Sequence, residues 1–416
     1  MKWEFGLFGA NEATLIHRVT RIGVSIRPEN SLHALNTLKL EIAPPPLESR
    51  KMPVHPAAPL WLAGGRFLPW VRTFIRNRRG IKWKCVPALV LTASLSVLAS
   101  GLGIIQNLVY GRRVARTPVA GPIFIIGHWR TGTTFLHNLL ALDERHAAPS
   151  GYECSCPTHF LLTERWMLRI LDWLPEFRRP MDDMPISPRT PQEDEFALSV
   201  LGQPSPYWYF TFPNHSMPDP DFYDLDALPA HAREAWKRTL FRFVQQLTWL
   251  HGKRLVLKSP AHSLRIPWLL QLFPDARFVH LVRNPYEIVP STIKMDKALV
   301  RLWAVQETTE AALEEQVFNR GAFLYEKFEA GKQFISPDRF HELRYEDLVR
   351  DPTGQLSQLY AKLSLGGFAE VRPKLEQHLA AIAGYTPARY ILEPRLHGEI
   401  TRRWGQIIQR YGYSSG

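Results

Sequence analysis

The apolar positions of this chain change character part-way along it. From Gly121 onward, short apolar runs at 122–126, 254–257, 277–282 and 340–344 alternate with longer stretches of helical period. Runs this short and this continuous suit strands buried on both faces, and the long spacers between them suit parallel crossovers. The expected fold is therefore α/β, a parallel sheet flanked by helices. Upstream lies a run of another kind: 85–110 carries no charged residue, and about 20 mostly apolar residues are enough to cross a bilayer. Pro87, Thr92, Ser94, Ser96, Ser100, Gly101, Gly103, Gln106 and Asn107 dilute it. Basic clusters at both ends give the orientation rule no asymmetry. Two readings stay open, a helix that is buried or lies on a membrane surface and a helix that spans. The arginine-rich stretch 70–84 fits the surface reading, because it would meet anionic headgroups.

The first fifty residues show no sustained periodicity and end in Pro44-Pro45-Pro46, which reads as an extended lead-in. The expected organisation is an N-terminal extension, 1–117, carrying the apolar helix, and a main domain, 118–416. A chain of 416 residues with 45% hydrophobic and 22% charged positions can build a large core. Its formal net charge of +12 favours anionic partners without choosing among them. Three cysteines cannot make a disulfide framework, and no secretory leader pattern opens the chain, so a reducing, cytoplasmic setting is expected, with contact to a membrane surface.

The sharpest local signal is Gly127-His128-Trp129-Arg130-Thr131-Gly132-Thr133-Thr134, placed between an apolar strand and a helix start. Such a loop turns backbone N–H groups inward, and the helix N-terminus adds about half a positive charge, so an anion belongs there. The spacing approaches a Walker A loop, yet Thr133 stands where the phosphate lysine should be and the cation is Arg130. Further along come Arg283 at a strand end, Ser291 eight residues later, Lys258 at another strand end, and Tyr345-Glu346-Asp347. A guanidinium fork and a helix-borne hydroxyl suit a phosphate group.

In order and spacing these segments resemble the sulfotransferases that use 3′-phosphoadenosine 5′-phosphosulfate (PAPS), and most closely the bacterial branch related to the tyrosylprotein sulfotransferases. The resemblance covers 118–416 and implies a P-loop-type domain. It implies that Arg130, Thr131, Gly132, Thr133 and Thr134 hold the donor phosphates, that Arg283 and Ser291 hold its 3′-phosphate, and that Tyr345 lies near the adenine. Arg130 and Lys258 would neutralise the transferring group, and no metal is implied. The acceptor would be a hydroxyl compound of unidentified class; nucleic acid is not expected. Related branches carry a glutamate shortly after the loop helix, which points to Glu153 as general base, while the cytosolic branch uses a histidine just after its lysine, which points to His262. One departure is that the end of the chain reads Arg402-Arg403-Trp404-Gly405 and lacks the Arg-Lys-Gly phosphate clamp of the cytosolic enzymes.

Other features carry less. Thr190-Pro191-Gln192-Glu193 predicts a capped helix start, leaving Glu193 and Asp194 as helix-end charges. The aromatic run 207–212 reads as core packing, with a pocket wall as the alternative. Cys154, Cys156 and His159 lack a fourth ligand at metal spacing. Competing readings are an ATP-dependent kinase-like phosphotransferase, which would need a loop lysine and a magnesium carboxylate, and a non-catalytic, membrane-attached nucleotide-binding protein.

Overall fold

The computed structural model describes residues 50–173, 177–178, 185–214, 219, 222–382 and 390–414. The Pro44-Pro45-Pro46 lead-in lies outside them, and all that follows belongs to one compact unit, Leu47–Gly416. In chain order its principal helices begin with α1 (Phe67–Arg76) and α2 (Val86–Ala115). Strand β1 (Ile123–Gly127) leads through the loop into α3 (Thr133–Leu140), followed by β2 (His146–Ala147), α4 (Gly151–Ser155), α5 (Phe160–Leu171), α6 (Asp194–Val200) and α7 (Ala230–His251). Then come β3 (Arg254–Lys258), β4 (Arg277–Val282), α8 (Pro285–Trp303), α9 (Glu310–Lys332), β5 (Phe340–Arg344) and α10 (Pro394–Arg410).

The sheet runs β2-β3-β1-β4-β5, with every neighbouring pair parallel. The four expected strands are all present to within a residue, and β2 is an added edge of two residues. Alternation explains their unbroken apolar character: Phe124, Ile126, Leu255, Leu257 and Phe278 pack on one face, and Ile123, Ile125, Val256, Val279 and Leu281 on the other, in separate clusters. The first face meets Trp236, Leu240 and Phe243 of α7, and the second meets Leu136, Leu139 and Leu140 of α3. Central β1 has β3 on one side and β4 on the other, a switch point in strand order, and open α/β sheets hold their ligand crevice at the carboxyl ends of strands beside such a point.

Residues from Arg50 to Arg116 share this core. Met52, Val54, Leu62, Trp70, Phe74 and Cys85 cluster with Trp208, Phe212, Met295 and Leu299. The aromatic run 207–212 is core, as expected, with Tyr209, Phe210 and Phe212 fully buried. The predicted helix start at Thr190 is corrected. The N-cap falls three residues later, at Glu193, and helix α6 begins at Asp194, because Pro191 pairs with Ser150 in an isolated bridge and Thr190 closes a turn onto Ser187. Glu193 thus occupies the N-cap position, but its side chain makes no capping bond.

Candidate functional site

Three strand ends and one loop build the site. The loop after β1 turns through two left-handed glycines and a left-handed arginine: Gly127 at φ 144°, Arg130 at φ 70° and Gly132 at φ 92°. A non-glycine residue in that region is held there by its surroundings. Thr131 is fully buried and spends its hydroxyl on the His128 carbonyl at 2.8 Å, so it shapes the loop from within. Gly132 allows a close approach as well as a turn, since a Cβ there would stand 2.2 Å from Cδ2 of Tyr345. Thr133 and Thr134 open α3, where the first amides of a helix lack intrahelical acceptors.

The second half of the site closes onto this loop. Arg283, just past the end of β4, donates from Nη1 to the Arg130 carbonyl at 3.0 Å, and its guanidinium lies 4.4 Å over the Tyr345 ring. Tyr345 thus bridges Gly132 and Arg283. Ser291, one side of α8, accepts from Arg130 Nε at 2.9 Å. Residues far apart in the chain, Arg130, Gly132, Arg283, Ser291 and Tyr345, form one contiguous patch. Arg130 turns toward Ser291 and Arg283, which places its guanidinium on their side of the crevice.

Lys258 occupies the other side. It ends β3 level with Ile125 of β1, and its Nζ stands 3.3 Å from the Thr134 hydroxyl, so the lysine absent from the loop sequence reaches the loop from the neighbouring strand. The same ammonium is ion-paired with Glu193, whose second oxygen accepts from the Tyr207 hydroxyl. The Lys258 side chain is 3% exposed and that of Glu193 is 12% exposed, so the carboxylate keeps a small opening. Phe196 packs 4.8 Å from Tyr207, and Trp303 and Trp61 continue the wall, stacked at 4.9 Å on each other.

A sulfotransferase family model matches residues 122–370, the span that holds all of these groups except Trp61. The chain belongs to the sulfotransferase family. It is 47% identical over 358 residues to the omega-hydroxy-beta-dihydromenaquinone-9 sulfotransferase Stf3 of Mycobacterium bovis, covering 86% of this chain and 92% of that one. Among solved structures the fold is similar to sulfotransferase STF9 of Mycobacterium avium, with a TM-score of 0.60, 20% identity and coverage of 77% and 85% of the two chains. It is also similar to STF1 of Mycobacterium tuberculosis H37Rv, with a TM-score of 0.56, 18% identity and coverage of 81% and 90%.

Within this sulfotransferase the two residues expected to act as base, Glu153 and His262, are both fully buried. Glu153 is fully buried on α4, with one oxygen closing a capping box on Ser150 and the other 2.7 Å from His251 Nε2. His262 is also fully buried, with its Nε2 2.7 Å from Asp194 and its ring edge-on to Phe124. The carboxylate that pairs with Lys258 is Glu193, which the sequence pattern had left as a helix-end charge. Arg402 and Arg403 pair with Glu399 and Glu315 on the surface, while Trp404 packs 5.3 Å from His128 beneath the loop. The end of the chain thus supports the loop from behind. Cys154 is fully buried with its thiol pushed well up by burial, and among the described residues no cluster of His, Cys, Asp or Glu is placed to hold a metal.

Proposed function

We propose that this sulfotransferase uses PAPS as donor, releases 3′-phosphoadenosine 5′-phosphate (PAP), and sulfates the terminal hydroxyl of a prenylated quinone-type lipid at the cytoplasmic membrane surface. The observation that carries the donor is the contiguous patch joining the loop to Arg283 and Ser291. Its chemistry suits a doubly phosphorylated nucleotide: Arg130, Arg283, the Ser291 hydroxyl and the α3 amides are donors, and the Tyr345 face offers a stacking surface. When bound, the donor supplies an activated sulfuryl group with a phosphate leaving group.

The protein's part is positioning and charge. Arg283 and Ser291 hold the 3′-phosphate, and Arg130 links them to the loop. Lys258 neutralises charge at the transferring end, as cations do in phosphoryl transfer. Glu193, beside Lys258, takes the proton of the attacking hydroxyl, and Tyr207 fixes its second oxygen. The aromatic wall of Phe196, Trp61 and Trp303 borders the apolar stem of the acceptor. On this reading 118–416 carries the chemistry and 1–117 places it at its substrate.

The acceptor class rests on the 47% identity with Stf3 across nearly its whole length. The test is incubation of the purified chain with PAPS and an ω-hydroxylated menaquinone in detergent, read by mass spectrometry. A product heavier by one SO3 together with PAP is expected. Release of PAP with a simple hydroxylated lipid but no product from the quinone would reject the acceptor, and tight binding of ATP with magnesium but not of PAP would reject the donor.

A further inference from the structure

The apolar helix α2 is mounted inside out. The side it turns to the protein is its small and polar side: Thr92, Ser96, Ala99 and Gln106 are buried, and Gly103 lies so close that a Cβ would meet Thr158 Cγ2 at 2.4 Å. Its large apolar residues face away, with Val90 60%, Leu98 61%, Ile104 65% and Leu108 79% exposed. In a water-soluble helix the stripe toward the core is the apolar one, and contiguous exposed apolar surface marks an interaction site. Leu68 on α1 and Trp83 before α2 extend this exposure, at 73% and 84%.

The charge around it names the occupant. From Ser49 to Leu142 the sequence contains no Asp or Glu, while Arg50 to Arg116 contains twelve Lys and Arg, which equals the net charge of the whole chain. Arg66, Arg72, Arg76, Lys84, Arg112 and Arg113 are exposed along this segment. An apolar strip bordered by cations, with an aromatic at one end, is the pattern of a surface seated in an anionic bilayer. A second copy of the chain would bring the same positive charge against itself.

Contacts along its length decide how α2 is used. Both amide atoms of Gln106 are bonded, to the Thr158 carbonyl at 3.1 Å and the Leu161 amide at 2.8 Å. Ser100 accepts from the Phe67 amide at 2.9 Å, Arg242 donates to Asn107 at 3.2 Å, and Gln245 donates to the Ala115 carbonyl at 3.4 Å. A spanning helix would have to abandon all of these and carry Gln106 unpartnered into hydrocarbon. We infer that α2 lies in the plane of an anionic membrane leaflet, its outward face in the acyl boundary, with the catalytic domain mounted on its inner face. Trp61, in the wall beside Phe196, belongs to a turn at Ala58–Leu62 that packs on α2, so the seated face and the acceptor wall are joined. This purpose rests on the lipid-acceptor reading, whereas the docking does not.

The experiment is co-sedimentation of the full chain with vesicles of equal parts phosphatidylglycerol and phosphatidylcholine, and with phosphatidylcholine alone. Binding to the anionic vesicles is expected, falling at least about tenfold for Leu98→Glu with Leu108→Glu and for Arg72→Glu with Arg76→Glu. Circular dichroism and turnover of a short, water-soluble alcohol should stay unchanged, which separates lost docking from lost folding. Lys84→Cys and Arg113→Cys should each react with an impermeant maleimide outside sealed vesicles. No binding to anionic vesicles, binding unaffected by the Leu98/Leu108 pair, a dimer that this pair converts to monomer, or labelling at only one helix end would overturn the inference. Because sedimentation needs no acceptor, docking can hold while the quinone reading fails.

Discussion

Glu193 is held by two partners of different kinds, the Lys258 ammonium and the Tyr207 hydroxyl, and the proposed mechanism makes it the base. Removing its charge while keeping its shape isolates proton acceptance. Glu193→Gln should lower kcat by about 100-fold or more, the usual loss when a positioned base is removed. Its Kd for PAP should stay within about twofold, because the nucleotide patch lies on Arg283 and Ser291. Glu153→Gln should do the reverse, leaving kcat within about threefold while costing about 1 kcal/mol in urea unfolding through a weakened capping box. A large kcat loss in Glu153→Gln with a normal Glu193→Gln would return the base to α4. At this scale the sequence pointed to residues that the fold brings together, since Arg283 and Ser291 both bond Arg130 of the loop. It could not show which carboxylate pairs with Lys258, because Glu193 meets Lys258 across 65 positions of chain and no local pattern records that meeting.

Three consecutive acids at the start of α6 meet three basic side chains between the last residue of β3 and Arg265. Glu193 pairs with Lys258, Asp194 with His262 and Glu195 with Arg265, a row that fastens α6 to the carboxyl end of the central sheet. The last pair is fully buried, with Arg265 also donating to the Pro204 carbonyl at 3.0 Å and lying 5.0 Å over Trp236. Breaking a buried pair strands one charge, so Glu195→Ala should cost about 3–5 kcal/mol in urea unfolding. Replacing both partners, with Glu195→Leu and Arg265→Met, should recover most of that loss, because two apolar side chains leave no charge behind. If the double variant is as unstable as the single one, the row is held by packing rather than by pairing. The elements themselves were legible from the sequence: four strands and the long apolar helix follow from runs and spacing alone. The onset of α6 was misplaced because Pro191 and Thr190 satisfy a helix-start pattern locally while tertiary contacts with Ser150 and Ser187 use them otherwise.

Two histidines at the middle of the molecule tie stability to pH. Burial holds His128 beneath the loop and His137 on α3 at about 3, each against an ordinary value of 6.5, with Arg320 and Lys258 respectively adding to the shift. Both are neutral when folded, so the unfolded chain binds more protons as pH falls below 6.5. Their contribution is complete above that value and is lost as pH drops toward 3. The melting temperature should therefore fall with acidification over this window, and more gently in His137→Gln; a slope unchanged by that substitution would remove His137 from the account.

What the sequence settled by itself is what neighbouring residues settle among themselves. Strands arise from apolar runs, the turn after β1 from two glycines before a helix start, and the joint approach of Arg283 and Ser291 to that loop from their fixed separation, since each is a property of a few consecutive backbone units. The tertiary structure decided which distant carboxylate faces Lys258 and which side of α2 faces out. Both depend on how the crossovers pack over the sheet, and an evenly apolar helix can be turned either way until Gln106 finds Thr158 and Leu161.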